Sequence, residues 1–301
     1  MPEQTDQHPL WPHGRALLTE IAETHTPADS IALWHIGQSG FVVRGGDATL
    51  VFDPYLSQSK NRTWAPPFDA EELRGVDYVF CSHDHSDHLD PVAVKGIAKA
   101  SPTARFVVSG SAQGKMESIG ISSERLVLAP VDEVIQLGAR RVRRRTMHDA
   151  PTLSVRSVPA AHGDKADPIA ESVWEADPER GHRFVGFVVD VNGVRVYHAG
   201  DTTVYPGMVD RLKDLAIDVA LIPINGRDWF REQRNIIGNT DHREAADLGH
   251  AIGADVIVPM HYDMFAGNPG NPGWFVEYCA MQYPGQGFHV PIRCKRWNYV
   301  K

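Results

Sequence analysis

The chain has 301 residues, of which 42% are hydrophobic and 23% charged, and its formal net charge is −8. This length and apolar content suffice for a large buried core, and no linker-like stretch divides the chain. We therefore expect a single domain over residues 1–301, with residues 1–29 as a peripheral N-terminal segment. The negative charge argues against nucleic acid as a partner, since such a protein needs a basic face, but it leaves a small anionic substrate open.

Cysteine usage and hydropathy indicate the compartment. The three cysteines, Cys81, Cys279 and Cys294, form an odd set without CxxC spacing, which predicts neither a disulfide framework nor a thiolate zinc site. The N-terminal stretch has no apolar signal core, and no run reaches the roughly 18 apolar residues that suggest a membrane span. We expect a cytoplasmic protein that acts on a small molecule and has no membrane partner.

The first elements are a helix and three strands. Apolar residues recur at helical spacing over residues 15–23, and strand-like runs follow at 31–36, 41–44 and 49–52, separated by glycine-containing turns. Asp53 comes directly after the third run. It is a candidate for orienting a metal-ligand histidine, with an ordinary turn aspartate as the alternative.

The most crowded polar segment is residues 81–90, which follows an apolar, strand-like run at 76–80. It contains three histidines and three aspartates within eight positions. Packed imidazoles and carboxylates are costly to desolvate unless a cation joins them. We interpret this segment as a metal-binding loop at a strand end, and a solvated polar turn is the alternative.

Helices and strands continue to alternate after this loop. A helix is predicted over 91–100, a strand over 105–108, and a β meander from runs at 126–128, 133–137 and 153–158. Five arginines within residues 140–145 indicate a solvated or subunit-facing hairpin, which leaves a homo-oligomer open; a polyanion-binding surface is the alternative. The polar, proline-broken residues 164–183 predict a loop over the site.

The second half of the chain again alternates strand-like and helix-like segments. Strands are predicted over 184–191, 194–198, 219–224 and 256–259. A helix is predicted over 243–252, with Asp241 as its N-cap and Glu244, three positions later, completing a capping box. Two β-rich halves with helices between them predict an α/β fold. We expect an αββα sandwich, in which two packed mixed sheets carry helices on both outer faces.

Single polar residues also follow three later strands: His162, Asp201 and His261. The HxHxDH segment at 83–88, followed in order by these residues, resembles the metallo-β-lactamase superfamily over about residues 30–265. This resemblance implies a centre with two divalent metal ions. The implied ligands are His83, His85 and His162 for one ion, Asp87, His88 and His261 for the other, and Asp201 as the bridge.

The implied centre also implies a reaction. Nitrogen and oxygen ligands suit Zn²⁺ or Mn²⁺, and two ions that share a water lower its pKa and polarise the oxygen under attack. Asp87 is the expected catalytic residue, because it can both hold an ion and accept a hydrogen bond from the attacking hydroxide. The resemblance therefore implies hydrolysis.

Four segments, at 34–41, 197–202, 217–221 and 258–265, look like the L-ascorbate-6-phosphate lactonase (UlaG-like) branch of the superfamily. That likeness implies a metal-dependent hydrolase that opens a lactone or cleaves a small ester of an anionic or sugar-phosphate-like substrate. A phosphodiesterase that acts on a cyclic nucleotide or short RNA is the alternative. A non-catalytic metal-binding scaffold is a third reading.

The polar segment at 225–240 is predicted to cross the mouth of the pocket. Arg227, Arg231 and Arg234 are candidates for binding a phosphate or carboxylate of the substrate, and Asn239 for donating to a developing oxyanion. Loop packing or helix capping is the alternative for each of them. His198 and Tyr262 adjoin implied ligands and are expected to support them.

Overall fold

The structure is a computed structural model that describes residues 11–138, 153–162, 176–177, 181–236 and 238–301. The arginine-rich run at 140–145 lies outside the described residues, as does most of the loop expected at 164–183. The roles inferred for these two segments stay predictions.

Strands outnumber helices among the described residues. In chain order, they are β1 (Ser30–Gly37), β2 (Gly40–Gly45), β3 (Ala48–Phe52), β4 (Tyr78–Cys81), β5 (Arg105–Val108), β6 (Leu126–Leu128), β7 (Val134–Gln136), β8 (Leu153–Pro159), β9 (Ala176–Asp177), β10 (Gly181–His182), β11 (Val185–Val191), β12 (Val194–His198), β13 (Val219–Pro223), β14 (Val256–Met260), β15 (Gly287–Phe288) and β16 (Trp297–Val300).

The α-helices of the described residues connect or flank these strands. They are α1 (Gly14–Glu23), α2 (Pro91–Ala100), α3 (Gln113–Ser118), α4 (Met208–Leu212), α5 (Trp229–Glu232), α6 (His242–Ala251) and α7 (Pro272–Gln282). Within the part of the chain that the structure describes, none of them is long and apolar enough to cross a membrane.

Two mixed seven-stranded sheets form the centre of the molecule. The first has the order β16-β1-β2-β3-β4-β5-β6, and the second has the order β15-β14-β13-β12-β11-β8-β7. Strands β3 to β6 run parallel to one another, as do β12 to β15. The carboxyl ends of these parallel strands lie at one edge of each sheet, where α/β folds commonly carry their sites.

The first sheet is apolar on both faces because both are covered. Along β1, Leu33 belongs to the core between the sheets, whereas Trp34 belongs to a second core that includes Leu17 of α1 and Ile97 of α2. Successive side chains of a strand point to opposite faces, so a strand covered on both sides reads as a continuous apolar run. The predicted α/β sandwich with helices outside both sheets is confirmed.

The expected β meander is wrong for its first strand, β6, and right for the pairing of β7 with β8. β6 pairs in parallel with β5 in the first sheet, whereas β7 and β8 pair antiparallel in the second. Apolar runs predict strands but do not show which sheet a strand joins. The helix α7 and the edge strand β16, which pairs antiparallel with β1, were not anticipated from the sequence.

Helix α6 begins with the capping box that the sequence predicts. The Asp241 carboxylate accepts the backbone N–H groups of Arg243 and Glu244, and the Glu244 carboxylate accepts the N–H of Asp241. Both side chains satisfy backbone donors that the first helical turn leaves without partners. The cap thereby fixes where the segment at 225–240 ends.

Replacing Asp241 with alanine is expected to lower the free energy of unfolding by about 1 kcal/mol, because the N-terminal donors of α6 lose their acceptor. Urea denaturation followed by circular dichroism measures this change. The matched variant Asp241→Asn keeps an acceptor oxygen and should retain most of the stability. Equal stability of Asp241→Ala and the parent protein would contradict the assigned role of the cap.

Candidate functional site

The fold brings the polar residues that follow its strands into one cluster. Residues 83–88 follow β4, His162 follows β8, Asp201 follows β12 and His261 follows β14. The two sheets are in contact here: the N–H of Val185, at the start of β11, donates to the carbonyl of Ser82, which follows β4, at 3.1 Å. All seven residues predicted as metal ligands are drawn together at this junction.

Three groups of candidate ligand atoms result. Within each group, one atom from every residue lies within 4.8 Å of the others. The groups are His83 with His85 and His162, His83 with His88 and Asp201, and Asp87 with His88 and His261.

Asp201 connects these groups. One of its carboxylate oxygens, Oδ1, lies 3.2 Å from His88 Nε2. The other, Oδ2, lies 3.6 Å from His162 Nε2 and 3.3 Å from His261 Nε2. The carboxylate therefore lies between the two sets of residues that are expected to hold the ions.

The cluster contains buried polar atoms without partners. His83 Nε2 has no hydrogen-bond partner among the residues that the structure describes, and His88 Nε2 and Asp201 Oδ1 lie 3.2 Å apart without forming a hydrogen bond. Leaving such atoms unpaired in the interior costs about 1–3 kcal/mol each. A divalent cation would satisfy these lone pairs, and imidazole nitrogens with carboxylate oxygens are a donor set that such ions accept. The residues present therefore fit a metal site.

The protonation states follow from burial and from neighbouring charges. Burial lowers the pKa of His83 well below its ordinary value, and it lowers the pKa of His162 to about 3, so both rings are neutral. Burial also lowers the pKa of His88, but the carboxylates of Asp201 and Asp87 outweigh it and raise this pKa well above the ordinary value. A neutral imidazole offers a lone pair, whereas His88 must release a proton before it can hold a cation.

Asp53 supports the cluster from behind. Its Oδ1 accepts the backbone N–H of Ser82 at 2.7 Å, and its Oδ2 accepts the Ser82 hydroxyl at 2.6 Å. The same Oδ2 lies 2.7 Å from His88 Nδ1. Asp53 thus orients the His88 ring so that Nε2 faces the cluster, which is the first of the two roles considered for it.

His198 supports the turn that carries Asp201. Its Nε2 donates to the carbonyl of Ser39 at 2.8 Å, its Nδ1 accepts the N–H of Gly200 at 3.2 Å, and its ring stacks on Phe52. The Tyr262 hydroxyl donates to the Pro291 carbonyl at 3.5 Å, and its ring stacks on His35. Of the two residues expected to support ligands, His198 is the one with such contacts.

The other aspartates of the crowded segment have structural roles. Asp90 caps α2 and accepts the backbone N–H groups of Leu56 and Ser57. Asp84 forms an ion pair with Arg183 at 2.9 Å, and the Arg183 guanidinium lies 4.9 Å from the centre of the Phe184 ring. That ring packs against three histidines of the cluster: His83, His85 and His162.

Two of the residues predicted to bind substrate, Arg227 and Arg231, contact other protein groups in or beside their segment. Arg227 forms a two-pronged ion pair with Glu244, with both distances below 2.8 Å. Arg231 pairs with Asp228 at 2.5 Å and donates to the carbonyl of Asn225. These contacts correspond to the loop-packing alternative that the sequence leaves open.

The remaining two candidates differ in exposure. Asn239 is fully buried and donates to the side chain of Asn225 at 3.1 Å, whereas Arg234 is exposed to solvent. The segment does reach the cluster, since the N–H of Thr240 donates to the carbonyl of Thr202, next to Asp201. A role in substrate binding stays a prediction for all four residues.

Sequence reasoning did not identify Gln38 as part of the site. Its side-chain Nε2 lies 2.8 Å from both Asp87 Oδ2 and His261 Nε2. Gln38 sits in the turn between β1 and β2, and turns are commonly polar. A polar turn residue whose side chain points inward looks the same in sequence as one that faces water.

Replacing Asp53 with alanine is expected to lower the free energy of unfolding of the metal-free protein by about 3 kcal/mol, because it leaves His88 and two donors of Ser82 buried without an acceptor. Chemical denaturation measures the change. Asp53→Asn retains one acceptor oxygen, so its free energy of unfolding should lie between those of the parent protein and Asp53→Ala. The exposed Asp210→Ala serves as the control, and a loss at Asp53 no larger than at Asp210 would refute the assigned role.

Comparisons with known proteins identify the family of this chain. A family model described as "Beta-lactamase superfamily domain" matches residues 48–262. A UPF0173 metal-dependent hydrolase from Aeropyrum pernix is 31% identical over 81% of this chain and 87% of its own length, and one from Alkaliphilus metalliredigens is 27% identical over 81% and 90%. Igni18, a metallo hydrolase from Ignicoccus hospitalis, superposes with a TM-score of 0.64 at 21% identity over 90% of this chain and 99% of that one. The chain belongs to the beta-lactamase superfamily.

Proposed function

We propose that this protein is a metal-dependent hydrolase that opens a lactone or cleaves a small ester of an anionic or sugar-phosphate-like molecule. The observation that carries the proposal is the buried Asp201 carboxylate, which contacts His88, His162 and His261 and so joins two sets of candidate ligands. The names of the UPF0173 relatives, which are metal-dependent hydrolases, support the same reaction class.

The proposed centre takes all seven clustered residues. One ion is assigned to His83, His85 and His162, the second to Asp87, His88 and His261, and Asp201 bridges them; Zn²⁺ and Mn²⁺ both suit these donors. When bound, two divalent ions supply Lewis acidity to the oxygen under attack and acidity to a water molecule.

Asp87 is placed for the proton chemistry of this reaction. Its side chain is 21% exposed, whereas that of His88 is wholly buried, so Asp87 faces the open side from which substrate arrives. Burial raises the pKa of its carboxyl group, but His88 and His261 outweigh this effect and lower the pKa below its ordinary value. An ionised Asp87 accepts a hydrogen bond from the attacking water and holds it towards the carbonyl carbon or phosphorus.

Positive charge next to the cluster supports an anionic substrate, chiefly that of Lys115, because the charge of Arg183 is balanced by Asp84. Arg183 pairs with the side chain of Asp84, and the Lys115 ammonium donates to the backbone carbonyl of the same residue. Both cations therefore border the loop that carries His83 and His85. A phosphate group would be attracted to this border as well, which is why a phosphodiesterase acting on a cyclic nucleotide or short RNA is the second candidate.

Removal of metal should abolish turnover, and so should Asp87→Ala or His83→Ala, because the proposed reaction needs both the ions and their ligands. Hydrolysis assays before and after chelation, with metal content measured by elemental analysis, test this expectation. Circular dichroism should show that both variants keep the fold, and the exposed Asp210→Ala should retain full activity. Full activity of a metal-free sample would refute the proposed function.

A substrate panel separates the two candidates. At matched metal, we expect hydrolysis of lactones, with sugar-phosphate lactones preferred over neutral ones, and slower or no cleavage of cyclic phosphodiesters. Product analysis by chromatography provides the measurement. A preference for cyclic nucleotides would establish the second candidate instead, and tight metal binding without turnover of any substrate would indicate a non-catalytic metal-binding protein.

A further inference from the structure

Gln38 reaches into the proposed centre from a strand turn. Its side chain is almost fully buried, and its amide group contacts two candidate ligand atoms at once, Asp87 Oδ2 and His261 Nε2, each at 2.8 Å. Both residues belong to the set assigned to the second ion. The amide therefore occupies the space that faces this set.

The backbone holds Gln38 in this place. Its φ of +56° lies in the left-handed region, and so does the φ of +58° of His261. The Gln38 carbonyl accepts the backbone N–H of His261 at 2.9 Å and lies 3.1 Å from Nε2 of the buried His35. Left-handed conformations of non-glycine residues persist where the surroundings enforce them, and such residues cluster at functional sites.

A glutamine amide carries a donor and an acceptor at nearly equivalent positions. Its last torsion is soft, so a half-turn exchanges the amide nitrogen for the carbonyl oxygen at almost no cost. With no cation present, the N–H group satisfies the Asp87 carboxylate. A cation at the same ligand atoms would repel that N–H group and attract the oxygen.

We propose that Gln38 is a further ligand of the second ion and binds it through Oε1, an inference that rests on the proposed function. The assignment gives the two halves of the centre different chemistry. His83, His85 and His162 offer nitrogen, whereas the second set gains a carbonyl oxygen beside the carboxylate of Asp87. Carbonyl and carboxylate oxygens suit Mn²⁺ better than the softer Zn²⁺, so Gln38 favours Mn²⁺ at the second position.

Titrations of the metal-free protein test this assignment without an activity assay. Free Mn²⁺ is followed by electron paramagnetic resonance, and Zn²⁺ by competition with a chromophoric chelator. We expect two bound ions in the parent protein, and a loss of at least about tenfold in affinity for one of two Mn²⁺ ions in Gln38→Ala. The loss for Zn²⁺ should be smaller, and the affinity for the other ion should be unchanged.

Further variants separate the role of the amide from that of the backbone. Gln38→Asn keeps a residue that tolerates the left-handed conformation but withdraws the amide by one methylene group, so it should weaken Mn²⁺ binding as Gln38→Ala does. Gln38→Glu places an oxygen at the same distance and should bind Mn²⁺ at least as tightly as the parent protein. Gln113→Ala removes a partly buried glutamine whose amide donates to Glu117 within α3, and is the matched control.

The outcomes distinguish this inference from the proposed function. Unchanged or tighter Mn²⁺ binding in Gln38→Ala and Gln38→Asn, with two ions in the parent protein, would overturn the ligand role and leave the hydrolase proposal intact. An equal loss for Mn²⁺ and Zn²⁺ would also contradict the oxygen ligand. A parent protein that binds neither ion would instead refute the proposed function.

Discussion

The structure depends on one buried carboxylate. Asp201 is 5% exposed, and burial alone would raise its pKa, yet His261 and His88 outweigh burial and hold this pKa well below its ordinary value. An ionised group in the interior is stable only when opposite charge and hydrogen bonds compensate its lost hydration. The surrounding imidazoles give this compensation in part, and the proposed ions would complete it.

Close approach of the two sheets is what places Asp201 among the histidines. The preceding residue, Gly200, has a φ of +62°, and a Cβ atom added there would lie 2.7 Å from Cβ of Ser82. Ser82 in turn is fixed by Asp53, which also orients His88. Any larger residue at position 200 would push the turn after β12 away from the loop after β4, so a glycine is needed where the two halves of the site join.

The sequence predicted more of the site than of its surroundings, for physical reasons. The residues at 83–88 and the single residues 162, 201 and 261 each follow an apolar run, and the ends of such runs are visible in sequence. The clustering of all seven in the structure agrees with that expectation. The roles of Arg227 and Arg231 were harder to predict, because the sequence does not distinguish an arginine that pairs with a nearby carboxylate from one that binds a substrate.

The features that sequence reasoning missed all depend on contacts distant along the chain. The pairing of β16 with β1, the placement of β6 in the first sheet and the inward-facing amide of Gln38 leave no periodic signal. Hydrophobic periodicity reports the local environment of a strand, whereas pairing partners are set by the whole fold.

The edge strand β16 has a consequence for how the site is assembled. It pairs with β1, the strand that leads into the turn of Gln38, and the nearby N–H of Cys294 donates to the carbonyl of His35 at 2.9 Å. The turn is therefore held both by the strands that precede the histidine-rich loop and by residues near position 300. Contacts between such distant positions require closure of a long loop, which is slow and entropically costly. The candidate metal site therefore draws on residues from both halves of this sequence, and neither half can form it alone.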